Sequence, residues 1–284
     1  MISSLFLPSR VLTCTRLCVY RAIAEKGLNG KEPELFGIAK GMYDSTPEDK
    51  AVRAVFVAPG VFEQCHHMSR IEEVLIAMYE CPDELKSMID MLVDFELKIA
   101  KDICDHWIPE AIFHHDDWGS QKSTFMSAEM FEEFFVPAYK KIYGYYKERG
   151  VKWIIHHSDS YAATFVPAMI EMGIDCWQGC FSTNDLPKLI EKYGDKISFM
   201  GGIENHLVDK ADWTVENCDE VARWIIKECG KKSFCPCIAQ GGPGSVFPGV
   251  YEALWNAIDQ INCEEFGCTL EELNATRVPM SVMF

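Results

Sequence analysis

Two positions apart near the middle of the chain, an imidazole and a carboxylate stand at His157 and Asp159, just after the apolar run Trp153-Ile154-Ile155. Side chains two apart on a strand point the same way. The pair can therefore offer a nitrogen and an oxygen to one metal ion, with His156 and Ser158 facing elsewhere. A third donor from another strand end leaves the open fourth position that catalytic zinc requires, and the thiolate of Cys237 is the obvious choice. A plainer reading stands beside this one: His157 and Asp159 form a hydrogen bond that orients the imidazole for acid–base work. Cys235 and Cys237 together make a weak metal motif, because buried cysteines behave as small hydrophobes.

Asp116 and Asp117 close another short apolar run, Ala111-Ile112-Phe113, and supply a second acidic group. An acidic pair at a strand end serves either as a catalytic carboxylate or as a helix cap or arginine partner. Asp117 and His157 are the expected catalytic pair, with Asp116, Trp118, Glu204 and Gln240 expected to bind substrate. The glycines at 241–244 lack the Lys-Ser/Thr of a phosphate-binding loop, and Gly201-Gly202 lacks the dinucleotide fingerprint, so both read as tight turns at a pocket rim. His66-His67 and His114-His115 read as ordinary loop or satisfied histidines.

Strands must place these groups. Val52–Val57 is a run of small and branched residues stopped at Pro59-Gly60, followed by an apolar helical pattern over Ile71–Tyr79. Pro82 opens a helix whose Leu85, Met88, Ile89, Leu92, Phe95 and Ile99 recur at three- and four-residue steps. Ser127 looks like the N-cap of a helix running to about Lys147. Further strands are expected at 153–155, 175–177, 197–200 and 234–238, with Gly173 closing a helix and an aromatic-rich helix over 249–262. Alternating strands and helices imply a parallel sheet with right-handed crossovers. The expected fold class is α/β, a TIM-like (β/α)8 barrel with a shortened or irregular amino-terminal part. Residues 1–50 are expected as an irregular segment of the same domain and residues 51–284 as the barrel. In such barrels the loops after the strands build the active site, and every cluster named above falls at that kind of position.

Composition narrows the class of partner. A formal net charge of −16 over 284 residues argues against nucleic acid, which needs a basic surface. Thirteen cysteines form no disulfide-scaffold spacing, which suits a reducing cytoplasm. No apolar run reaches the roughly 18 to 20 residues of a membrane-spanning helix. The opening Met1–Ala24 carries Arg10, Arg16 and Arg21 with no acid before Glu25, open both to a transit peptide and to a structured or truncated start.

Several segments together resemble one family: Asp116-Asp117-Trp118-Gly119, the stretch with Glu133 and Pro137-Ala138-Tyr139, Ile155–Asp159, Gly173-Ile174-Asp175, Met200-Gly201-Gly202-Ile203-Glu204, and Cys237 through Tyr251 and Leu254. They resemble the uroporphyrinogen decarboxylase superfamily, which includes corrinoid-dependent methyltransferases, over roughly residues 52 to 262. The Arg-Gln-Ala-Gly-Arg-Tyr-like segment and early aspartate of true uroporphyrinogen decarboxylases are not found before residue 55, which points away from a haem-pathway decarboxylase. In the methylcobamide:coenzyme M methyltransferases zinc is bound by His-x-Cys and a distant Cys, and the matching positions here are His157, Asp159 and Cys237. A carboxylate thus replaces a thiolate, which makes the site harder and better suited to polarising an oxygen.

The resemblance implies a zinc-dependent methyltransferase moving a methyl group between a corrinoid protein and a thiol, folate or methyl ether, with the corrinoid supplied by the partner. A metal-free decarboxylase using Asp117 and His157 is the first alternative, and a non-catalytic corrinoid- or tetrapyrrole-binding subunit the second.

Overall fold

The computed structural model describes residues 17–21, 40–41, 43–44, 52–241 and 244–275. The leader-like reading of 1–24 lies outside them apart from the strand Leu17–Arg21 (β1), as do Gly242 and Pro243 of the glycine turn. That strand sits within the opening for which the sequence predicts irregular structure.

The chain divides into two compact units, one formed by Val19–Ser45 with Arg53–Cys176 and the other by Met1–Cys18 and Thr46–Val52 with Trp177–Phe284. The first holds most of Val52–Val57 (β2), which is followed by three helices: Val61–Met68 (α1), Ile71–Glu80 (α2) and Pro82–His106 (α3). Ala111–His115 (β3) runs parallel to β2 and to Trp153–His157 (β4), with Phe56 opposite Phe113 and His115 opposite His157. The α3 helix buries Leu85, Ile89, Leu92, Val93, Ala100 and Ile103 on one face, at about 2 kcal/mol for each large aliphatic side chain. Pro82 opens it, as its missing N–H allows.

Ser127 caps the next helix as expected, its hydroxyl accepting the Met130 N–H at 3.2 Å. The single helix expected to about Lys147 is instead two, Ala128–Phe134 (α4) and Val136–Glu148 (α5). Pro137 is the cause: it has no N–H to donate and belongs in a first turn, so a new helix starts there. Tyr139, Tyr143 and Tyr146 on α5 are fully buried. After β4 comes Val166–Met172 (α6), closed by Gly173 at φ 86°, a left-handed conformation in which glycine has no Cβ to clash.

The second unit holds most of Cys176–Cys180 (β5), then Leu186–Tyr193 (α7), Ser198–Ile203 (β6), Asn205–Val208 (α8), Val215–Cys229 (α9), Phe234–Ile238 (β7), Val250–Phe266 (α10) and Leu270–Ala275 (α11). Strand β5 lies further along the chain than the expected 175–177, because Asp175 accepts the Ile154 N–H and the Lys147 ammonium rather than entering the strand. Strands β6 and β7 are parallel, with Gly202 opposite Cys237. At Gly201 (φ +142°) an added Cβ would stand 2.7 Å from the Cys180 nitrogen, so only glycine lets these backbones approach.

Candidate metal centre at two strand ends

The parallel register of β3 and β4 aligns two copies of one pattern. His115-x-Asp117 ends the first strand and His157-x-Asp159 the second, with His115 paired to His157. Their rings stack at 4.7 Å and 18°. The Asp116 N–H donates to the His157 carbonyl at 3.1 Å, and the Asp159 N–H donates to Asp117 Oδ1 at 2.9 Å, so the two loops leave their strands tied together. Asp117, His157 and Asp159 each bring one donor atom within 4.8 Å of the others. His157 Nε2 is 3.9 Å from Asp159 Oδ2. As the two-residue period dictates, His156 and Ser158 point the other way and are fully buried.

Two residues that the sequence reading passed over belong to this cluster. Glu63 on α1 holds His115 Nδ1 at 2.9 Å from its Oε2, and Glu63, His115 and Asp117 form a second group of donors within 4.8 Å. Burial works against a charge on His115, but the Glu63 carboxylate and the charges of Asp117 and Asp116 prevail and bring it to about 9. Burial, with the Asp159 charge added, pushes the Asp117 carboxyl up to about 6. The signal in the sequence was the repetition of His-x-Asp at two successive strand ends, which only the strand register turns into proximity.

Asp116 faces inward from the same loop and is completely buried. It accepts the Phe62 N–H at 2.9 Å, the Glu63 N–H at 2.8 Å, the Trp118 indole N–H at 3.2 Å and the Tyr139 hydroxyl. Burial and the nearby Glu63 charge push its carboxyl up, while the amide and indole donors pull it back. Its contacts are those of a helix cap supplied from another strand, and they fix where α1 presents Glu63. Trp118 is also fully buried, stacked on His156 at 4.0 Å and packed on Phe131 at 4.7 Å. The two side chains expected to meet substrate thus hold the framework behind Asp117.

Behind the strands runs a buried chain of polar groups. His156 Nε2 donates to the Asp116 carbonyl at 3.1 Å, so its Nδ1 accepts from Tyr143, 2.9 Å away. The Tyr143 oxygen then accepts from His114 Nδ1 at 2.8 Å, which leaves the His114 Nε2 lone pair facing Glu96 Oε2 across 3.9 Å. Burial lowers both imidazoles and raises the Glu96 carboxyl to about 8, so all three are neutral at pH 7.

The remaining expected site residues belong to the second unit. Glu204 accepts the Ser182 N–H at 3.0 Å and pairs with His206 at 3.1 Å. The Gln240 backbone exchanges two hydrogen bonds with the Asn205 amide, at 3.0 and 3.2 Å. Cys237 is buried on β7, lining a small apolar pocket with Ile203, Tyr251, Leu254 and Trp255, and Cys235 is half-buried.

The sequence profile described as Uroporphyrinogen decarboxylase (URO-D) matches residues 28–259. The chain belongs to the uroporphyrinogen decarboxylase family. Comparison with curated protein sequences gives no match. Among solved structures it is similar to a methyltransferase from Methanosarcina mazei, with TM-score 0.64 and 14% identity over 83% of this chain and 65% of that one. This chain therefore spans less than two thirds of that neighbour's length, and the likeness is one of fold. Family and neighbour agree with the TIM-like α/β barrel class expected from the sequence. The resemblance noted in the sequence implies zinc. The donors assembled here, one imidazole and two carboxylates, fit a divalent cation that accepts nitrogen and oxygen, zinc included.

Proposed function

We propose that this member of the uroporphyrinogen decarboxylase family is a cytoplasmic, metal-dependent methyltransferase, moving a methyl group between a small substrate and the cobalt of a corrinoid carried by a separate partner protein. One barrel domain over 51–284 is part of this reading. The observation that carries it is the convergence of Asp117, His157 and Asp159 at adjacent strand ends. These three residues would hold zinc. When bound, zinc supplies a Lewis acid that draws charge from the oxygen of a methyl ether or lowers the pKa of a thiol.

The chain's own groups do the rest. The Asp159 N–H fixes Asp117 Oδ1, and the stack of His115 on His157 restrains the imidazole plane. In the metal-free chain burial and the Asp159 charge raise the Asp117 carboxyl to about 6, and a bound cation would hold it as the ionised ligand. Phe113, stacked on His157 at 5.9 Å, gives that ring an apolar neighbour on the strand.

The same raised carboxyl favours a second reading, decarboxylation of a small acid with Asp117 protonating the carbanion. Charge weighs against it: Glu63 and Asp159 stand beside Asp117 and would repel a substrate carboxylate. The deciding experiment supplies a methyl thioether, a methylated folate or a methyl ether together with reduced corrinoid, and follows formation of the methyl–cobalt bond by absorbance. One donor class is expected to react, with the rate falling about 100-fold in His157→Ala. Carbon dioxide release from small acids, with no methyl transfer from any donor, would give the decarboxylase reading instead.

A further inference from the structure

Glu63, His115 and Asp117 bring one donor atom each within 4.8 Å, and Asp117, His157 and Asp159 do the same. Asp117 is common to both sets. We propose that Glu63, His115 and Asp117 form a second divalent-cation position beside the first, with Asp117 bridging the two. This rests on reading Asp117, His157 and Asp159 as a metal site.

Three features support it. A carboxylate has two oxygens, and one that bridges neighbouring ions is the recurring link of two-metal sites, where the ions stand about 3.5–4 Å apart. His115 Nδ1 and Glu63 Oε2 are 2.9 Å apart. Two ligands about 2.1 Å from one ion and at right angles to it would stand about 3 Å apart. The donors also sit on firm supports. Glu63 lies in the first turn of α1, whose amides are pinned by Asp116, and His115 ends a strand in register with His157.

Charge points the same way. Three carboxylates share the cluster with two imidazoles, a donor set whose negative charge suits a divalent cation. The donors are nitrogen and oxygen only, which suits manganese or zinc.

The test uses the full chain, stripped of metal and equilibrated with Mn2+ alone or Zn2+ alone, with bound metal counted by elemental analysis. Manganese avoids recruiting thiols, and electron paramagnetic resonance reports whether two Mn2+ ions are magnetically coupled. Two ions per chain with a coupled spectrum are expected, falling to one uncoupled ion in both Glu63→Gln and His115→Gln, each checked for folding by circular dichroism. One ion per chain, kept in Glu63→Gln and lost in His157→Ala, would overturn the second position and leave the single-metal reading standing. Two uncoupled ions indifferent to Glu63 and His115 would also overturn it. Binding of neither metal would remove both readings.

Discussion

Asp117 is pulled in two directions, by burial and the Asp159 charge toward the neutral acid and by His115 toward the carboxylate. Its folded value of about 6 lies above the ordinary 3.8, so the native state holds a proton that the unfolded chain has released between those values. Its contribution to stability is therefore complete below the lower value and is lost as pH rises through about 6. Asp117→Asn should accordingly be more resistant to urea than wild type at pH 8 in chelator, with little difference at pH 4, while metal binding is lost. Glu96 follows the same sign over a wider window, its stabilising contribution lost as pH rises from the ordinary 4.5 through about 8. Glu96→Gln mimics the neutral acid: it still accepts from Gln64 and gains an N–H to offer toward His114. Urea unfolding of this variant between pH 5 and 8 should show a flatter pH dependence than wild type. An unchanged slope would mean that Glu96 is already ionised in the native state. Of the reacting groups, His157 and Asp159 were legible because their spacing is local, and Asp117 because acidic pairs at strand ends are conspicuous. Glu63 and His115 were not, since they meet only when α1 is folded against the end of β3.

Helix α1 shows how a local pattern is overruled by a distant partner. No side chain next to it in sequence caps its amino end, and its first amides are satisfied by Asp116, 54 residues further on. A sequence reading finds no start signal there, which is why His66-His67 looked like a loop. Gly60 is fitted to the same carboxylate: an added Cβ would lie 2.5 Å from Asp116 Cβ. Gly60→Ala should therefore push Asp116 off the helix end and lower the thermal midpoint, whereas alanine at Gly144 of α5, with nothing within 4 Å of the added atom, should not. Asp116→Asn keeps the shape but replaces one accepting oxygen by an NH2 group that faces the Phe62 or Glu63 N–H, at a cost of about 2–4 kcal/mol by urea unfolding. Elsewhere the elements follow the sequence closely where the signal is local, as with Pro82, Ser127 and Gly173. The reading missed the break at Pro137, where apolar periodicity continued across two helices.

For the chain taken whole, the fold class was legible because short apolar strands recur between helices and end in polar residues or glycine, a pattern that survives large sequence change. The family match spans residues 28–259, the stretch that contains the segments in which the resemblance was read. Among the described residues no helix is long and apolar enough to cross a membrane. With a net charge of −16, the protein should pass unretained through immobilised DNA at low salt, where a nucleic-acid-binding protein would be held. The functional reading depends above all on the chain carrying metal at the two strand ends. Zinc content by elemental analysis, on protein purified without chelator, tests this directly in wild type, His157→Ala, Asp159→Asn and Cys237→Ala. The account predicts zinc bound to wild type and lost in His157→Ala and Asp159→Asn, with Cys237→Ala reporting whether the thiol expected from the sequence takes part. Folded wild-type protein that holds no zinc, even after zinc is supplied, would contradict it.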